Sequence, residues 1–116
     1  MIRAAVPVIA SALILSVSAV AAAPTERHIA IKASRFVYMP ARIVLKKGEP
    51  VVLELTALDR LHGFDLPDMH IRTDVLPGKV SEIRIVPDRV GTFDFHCDNF
   101  CGSGHESMAA VIVVEE

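Results

Sequence analysis

From His28 to the C-terminus no stretch holds a helical period; apolar residues recur instead in short alternating runs cut by turn signals. Such a run puts every second side chain on one face, so the chain must bury its apolar faces by packing sheet against sheet. The first candidate strands are residues 29–33, the pair Phe36 and Tyr38 ahead of Pro40, and residues 41–45 before the Lys46-Lys47-Gly48 turn. Residues 51–55 and 81–86 alternate clearly, Ile83 and Ile85 lying opposite Glu82 and Arg84. Residues 59–79 carry Gly63, Pro67, Pro77 and Gly78 and read as loop. Over 92–97, Phe93, Phe95 and Cys97 share the inward face while Asp94 and His96 share the other. A Gly-rich loop over 98–107 then leads to a last apolar strand, 108–114. Six to eight short strands predict an all-β Greek-key sandwich or barrel.

The N-terminal segment is of another kind. Arg3 precedes an uncharged apolar stretch over 4–20, followed by Ala21, Ala22, Ala23 and Pro24. That is the layout of a secretory signal peptide, with small residues where a signal peptidase cuts. Cleavage after Ala22 gives a signal peptide of residues 1–22 and a domain of residues 23–116. An uncleaved single-span anchor is the alternative, for which the stretch is just long enough. With residues 1–22 removed, 94 remain, carrying 11 basic and 14 acidic side chains and a formal charge of -3. This leaves no basic face for phosphate backbones, so nucleic acid is not an expected partner. No second apolar segment is long enough to span a membrane, and the expected location is periplasmic. A domain this small buries only about 60 to 70% of its unfolded surface and gains most from a disulfide or a metal.

Residues for either are concentrated in one place. Cys97 and Cys101, the only cysteines, begin the spacing Cys-x3-Cys-x3-His-x2-Met that runs through His105 to Met108. Two cysteines in an exported chain ordinarily pair, but a bridge across three residues constrains little of the unfolded chain. Two thiolates, an imidazole and a thioether form a soft donor set that favours copper over calcium or magnesium. His62, after the 51–55 strand, is the candidate for one more ligand. Zinc held by Cys97, Cys101, His105 and His62 is the competing reading, and it leaves Met108 unused. A mononuclear blue-copper site needs one Cys, two His and a weak axial Met. A second thiolate makes room for a second copper: both sulfurs bridge, His62 and His105 supply one imidazole to each metal, and Met108 and a backbone carbonyl between the cysteines are the weak donors. Two bridged coppers sharing one unpaired electron spread the geometric change of a redox step over many bonds, so the implied chemistry is one-electron relay. No nucleophile stands with a base, and a closed site has no open position for substrate. No catalytic residue is expected, and the chain by itself is not expected to be an enzyme.

The same motif resembles the binuclear CuA domain of cytochrome c oxidase subunit II and of nitrous oxide reductase, whose fold is a cupredoxin. Residues 59–67, DRLHGFDLP, are similar to the segment that carries the first histidine ligand in that family, and residues 71–79, IRTDVLPGK, to the stretch that follows it. The resemblance covers roughly residues 36–114. It implies His62, Cys97, Cys101, His105 and Met108 as side-chain ligands and the Asn99 carbonyl as the remaining one. It also implies a c-type cytochrome or similar redox protein as partner, with a terminal oxidase or reductase as acceptor. Three features depart from the family: only a signal peptide precedes the domain, Asn99 stands where oxidase subunits carry a magnesium-binding Glu, and the chain has no Trp. A free-standing periplasmic copper protein is the expectation, with delivery of copper to an oxidase or reductase under assembly as the alternative function, and a structural module held by a disulfide or zinc as a third.

Other residues carry weaker expectations. His96 and His28 read as surface residues, and His70 as an exposed loop residue, with a docking or supporting role near the ligand end as the alternative. Met39 and Met69 read as packing. Asp59 is expected to cap backbone amides of its loop, and Phe64, Phe93, Phe95 and Phe100 to form the apolar shell of the copper.

Overall fold

The structure, a computed structural model, describes residues 2–18 and 26–116. The expected cleavage positions, Ala19 to Ala23, lie outside the described residues. Residues 2–18 form no helix or strand, and among the described residues no helix is long and apolar enough to cross a membrane.

Nine strands follow: β1 Arg27–Ser34, β2 Val37–Met39, β3 Arg42–Lys46, β4 Val51–Ala57, β5 His62–Leu66, β6 Ile71–Val75, β7 Ser81–Ile85, β8 Gly91–His96 and β9 Ala109–Glu115. They form two sheets, in the orders β2-β1-β4-β7 and β3-β9-β8-β5-β6. Most neighbours are antiparallel, but β1 runs parallel to β4 and β3 to β9. The expected all-β sandwich is what the chain forms.

Alternation drives the packing. Ile31 and Ala33 of β1, Leu53 and Leu55 of β4, Phe93 and Phe95 of β8, and Ile112 and Val114 of β9 turn inward and are buried. Each large apolar side chain taken from water contributes about 1.5 to 3 kcal/mol before conformational entropy is set against it. At the centre Phe95 stands edge-on to Tyr38 at 4.9 Å between ring centroids and tilted against Phe64 at 4.7 Å.

The segment expected to be loop, residues 59–79, holds β5 and β6, which pair antiparallel from His62↔Val75 to Leu66↔Ile71. Gly63 reads as a breaker, yet it sits inside β5 because a neighbouring loop presses on it. A Cβ there would stand 2.0 Å from Asp98 Oδ1 and 3.1 Å from the Asp98 amide nitrogen. The correction matters for function, because His62 is thereby the first residue of a strand and not a loop histidine. Other expectations also change. His70 lies past the far end of β5, one strand length from His62, in a left-handed turn beside residues 84–89. Met39 is mostly exposed, and Phe93 packs at the start of β8 beneath the Arg89 guanidinium.

Candidate metal centre

Two connections meet at one end of the sandwich. The β4–β5 connection delivers His62, the C-terminal end of β8 delivers Cys97, and the β8–β9 connection carries Asn99, Cys101, His105 and Met108. The β8–β9 ladder continues past His96↔Ala109 through a bond from the Cys97 amide to the Met108 carbonyl at 3.0 Å, which brings the two ends of the ligand loop together. Inside the loop the His105 amide donates to the Gly102 carbonyl and the Ser107 amide to the Gly104 carbonyl, forming the short 3-10 turn His105–Ser107. Gly104 enters that turn at φ 98°, in the left-handed region where a side chain would be strained.

The expected site residues come together here. Cys97 and Cys101 are buried and unpaired, with their sulfurs 3.8 Å apart, too far for a bond and close enough for one ion to touch both. His62, Cys97 and Cys101 each offer a donor atom within 4.8 Å of the others. Around this trio lie three further donors. His105 Nδ1 is 3.5 Å from Cys101 Sγ, Met108 Sδ is 3.9 Å from the same sulfur, and the Asn99 carbonyl oxygen accepts from the Cys97 thiol at 3.2 Å.

His62 is completely buried, and its two ring nitrogens differ. Nε2 lies 2.6 Å from Asp59 Oδ1, an acceptor that places the ring proton on Nε2. Nδ1 is buried without a hydrogen-bond partner among the described residues. A buried imidazole lone pair left open beside two thiols is a costly arrangement unless it has a cation to meet. Asp59 caps amides as expected, accepting from the Arg35 and Arg60 backbone nitrogens at 2.8 Å each, and holds the His62 ring besides. Burial works to raise its carboxyl, but these amides and the His62 ring outweigh burial and hold it down at about 2. Burial pushes the Cys101 thiol up, and its contact with Cys97 adds to this, so a cation entering the site must displace a proton.

Two supports escaped the sequence reading. Burial pushes the Tyr38 phenol up, keeping it protonated, and it donates to the Gly63 carbonyl at 2.6 Å, fixing β5 from below. On the outer side Arg72 grips Asp98 through two nitrogens, at 2.7 and 2.9 Å, and also bonds Asp74. The Asn99 side-chain amide bridges Asp74 Oδ1 and the His62 carbonyl, so the residue between the cysteines ties the loop to β5 and β6. The Arg72 hydrogen bonds are the main cause holding the Asp98 and Asp74 carboxyls below their ordinary range. A lowered folded-state value means stability that is present above the ordinary carboxylate pKa, about 4, and is lost as pH falls through the folded value. Arg72→Gln is therefore expected to be less stable than the parent at pH 7, with the gap closing at pH 3; urea midpoints at the two pH values check it. Phe100 departs from expectation. Three-quarters exposed, it stands beside His105 at 6.0 Å between ring centroids and does not line the site.

A two-sheet β-sandwich with two cysteines, two histidines and a methionine gathered at one end belongs with the cupredoxins. The sequence profile of the cupredoxin-like domain family matches residues 7–114, and the chain belongs to that family. Its relatives include two cytochrome c oxidase subunit 2 sequences from Thermus thermophilus, each 36% identical over 93 residues, or 80% of this chain. The match spans 69% of the length of one and 55% of the other. Among solved structures, the periplasmic domain of cytochrome oxidase subunit II of Bradyrhizobium japonicum superposes with a TM-score of 0.72 at 20% identity, covering 78% of this chain and 84% of that one. The resemblance to oxidase subunit II is thus a relationship of the whole folded domain.

Proposed function

We propose that the chain is a periplasmic cupredoxin whose binuclear CuA-like centre relays single electrons. The observation that carries this reading is the pair of free sulfurs 3.8 Å apart, with a ring nitrogen of His62 within 4.8 Å of both and its buried Nδ1 without a hydrogen-bond partner among the described residues. Cys97 and Cys101 would supply the thiolates that hold the copper, His62 and His105 the imidazoles, and Met108 and the Asn99 carbonyl the remaining donors. The donor set fits copper: zinc has no use for a buried thioether, and calcium or magnesium none for sulfur. When bound, such a centre supplies a valence shared between two metals, so that one electron enters and leaves with little rearrangement.

The protein's own residues prepare that chemistry. Asp59 fixes the tautomer and orientation of His62, Tyr38 fixes the strand that carries it, and the Arg72 network holds Asn99 against β5 and β6. The burial of Cys97, Cys101, Met108 and His62 excludes water, while His105 is half-exposed and opens the site toward a partner. The partner is a c-type cytochrome or similar redox protein, and the acceptor a terminal oxidase or reductase. Residues 1–22 act as the export signal of a domain spanning 23–116.

Reconstitution of the reduced protein is expected to give two coppers per polypeptide and a seven-line hyperfine pattern in electron paramagnetic resonance. A single, rapidly exchanging copper without that pattern would overturn relay in favour of copper delivery; no uptake would leave a structural module. Asp59→Ala is expected to weaken copper binding about 10-fold to 100-fold, as for other partners that orient a ligating histidine, measured by competition with a chelator.

A further inference from the structure

We propose that Arg35 is a positioning residue of this centre: from the β1–β2 turn it ties together the connections bearing His62 and Cys101, and its charge favours the reduced form of copper held there. The proposal deepens the copper reading and rests on it for the second half only.

The motif contains no trace of Arg35, which lies 24 residues before Asp59 and 66 before Cys101. Its backbone nitrogen donates to Asp59 Oδ2 at 2.8 Å, on the carboxylate whose other oxygen holds the His62 ring. Its side-chain Nε donates to the Cys101 carbonyl at 3.0 Å. The ring of the next residue, Phe36, lies beneath the ligand loop, 3.3 and 3.4 Å from where Cβ atoms on Gly102 and Gly104 would stand. A two-residue turn therefore touches the His62 support and three successive points of the Cys101–His105 loop. Ahead of Cys101 the connection is tied to β5 and β6 through Asp98 and Asn99; from Cys101 to His105 the other bonds are its own two turns and, at the base, the Cys97–Met108 bond.

Two of these contacts differ in what they demand of residue 35. Any residue with an amide N–H makes the bond to Asp59, whereas the bond to the Cys101 carbonyl needs a long side chain with a donor. Arginine also brings a charge. Among the described residues, no carboxylate lies within ion-pair distance of its guanidinium, and the Asp59 carboxylate stands against its backbone nitrogen. A reduced centre carries one positive charge fewer than the oxidised one, so a fixed cation hydrogen-bonded to a ligand's own backbone favours reduction.

The test compares the parent with Arg35→Ala and Arg35→Lys. In the copper-free protein, iodoacetamide alkylation of Cys101, located by mass spectrometry, is expected to be faster in Arg35→Ala than in the parent, because the untethered loop opens more often. After copper loading, the midpoint potential is expected to fall in Arg35→Ala and to return toward the parent value in Arg35→Lys. Alkylation at the parent rate in Arg35→Ala overturns the tether, and equal midpoints in the two variants overturn the charge effect. Should Arg35→Ala fail to fold, Arg35→Gln, which keeps a donor but drops the charge, decides the charge effect against Arg35→Lys, and Arg35→Met, which keeps the stem but has no donor, decides the tether by its alkylation rate against the parent. Failure of the parent to take up copper sinks the copper reading and the charge effect together, while the alkylation rates still decide the tether.

Discussion

Replacing Cys101 by serine is expected to reduce copper uptake from two equivalents per polypeptide to at most one and to abolish the seven-line spectrum. Cys101 is the hub of the donor set: its sulfur lies 3.8 Å from Cys97 Sγ, 3.5 Å from His105 Nδ1 and 3.9 Å from Met108 Sδ. An oxygen at that position is a harder and smaller donor and a poor bridge between soft cations. Cys97→Ser is expected to have the same effect on copper with less effect on the fold. The Cys97 side chain already accepts from the Gly63 amide at 3.3 Å and donates to the Asn99 carbonyl, and a hydroxyl can do both. Each variant is checked by its metal-to-protein ratio beside its thermal melt. Retention of two coppers by either variant would sink the bridged-pair reading. The same 3.8 Å spacing makes the copper-free protein prone to internal oxidation, because a modest approach of the sulfurs closes a bridge. Copper uptake by the oxidised protein is therefore expected to be negligible until a reductant is added.

How much of this was legible in the sequence depends on how local the information is. The strands with apolar alternation, β1, β4, β7, β8 and β9, follow from periodicity, because each has one face in the core. The Cys97 to Met108 constellation was legible for the same reason: it lies on one connection, and its spacing survives any arrangement of the sheets. β5 and β6 were not legible. Their five-residue spans carry Gly63, Asp65, Arg72 and Asp74, because one face of each meets the Asp98 loop or solvent rather than the core. His62 was a candidate from its place after the 51–55 strand and was raised above an ordinary loop histidine by its segment's resemblance, while its open nitrogen is visible only once Asp59 is seen to occupy the other. Arg35, Tyr38 and Arg72 support the site from distant parts of the chain. Single residues that act through tertiary contact leave no period and no spacing to read.

The support beneath the site gives the other large expected effect. Phe95→Ala is expected to destabilise the domain by about 3 to 5 kcal/mol, the usual cost of removing a buried phenylalanine. Phe95 is fully buried between Tyr38 and Phe64, so the cavity would open inside a rigid aromatic cluster that can collapse only by moving a sheet. Against a total stability of about 5 to 15 kcal/mol, the loss is a large share for a small sandwich. The effect should also reach the metal. Phe95 precedes Cys97 by two residues on the same face of β8, and it holds the Tyr38 ring whose hydroxyl donates to the Gly63 carbonyl. Copper bound only by the folded form adds stability in proportion to its affinity, so loading should recover part of the deficit. Urea midpoints of parent and Phe95→Ala, each with and without copper, separate the two contributions. A copper-free difference below about 1 kcal/mol would mean that the aromatic cluster is not the foundation of the site, since that is the cost of an ordinary surface change and not of an aromatic lost from a packed core.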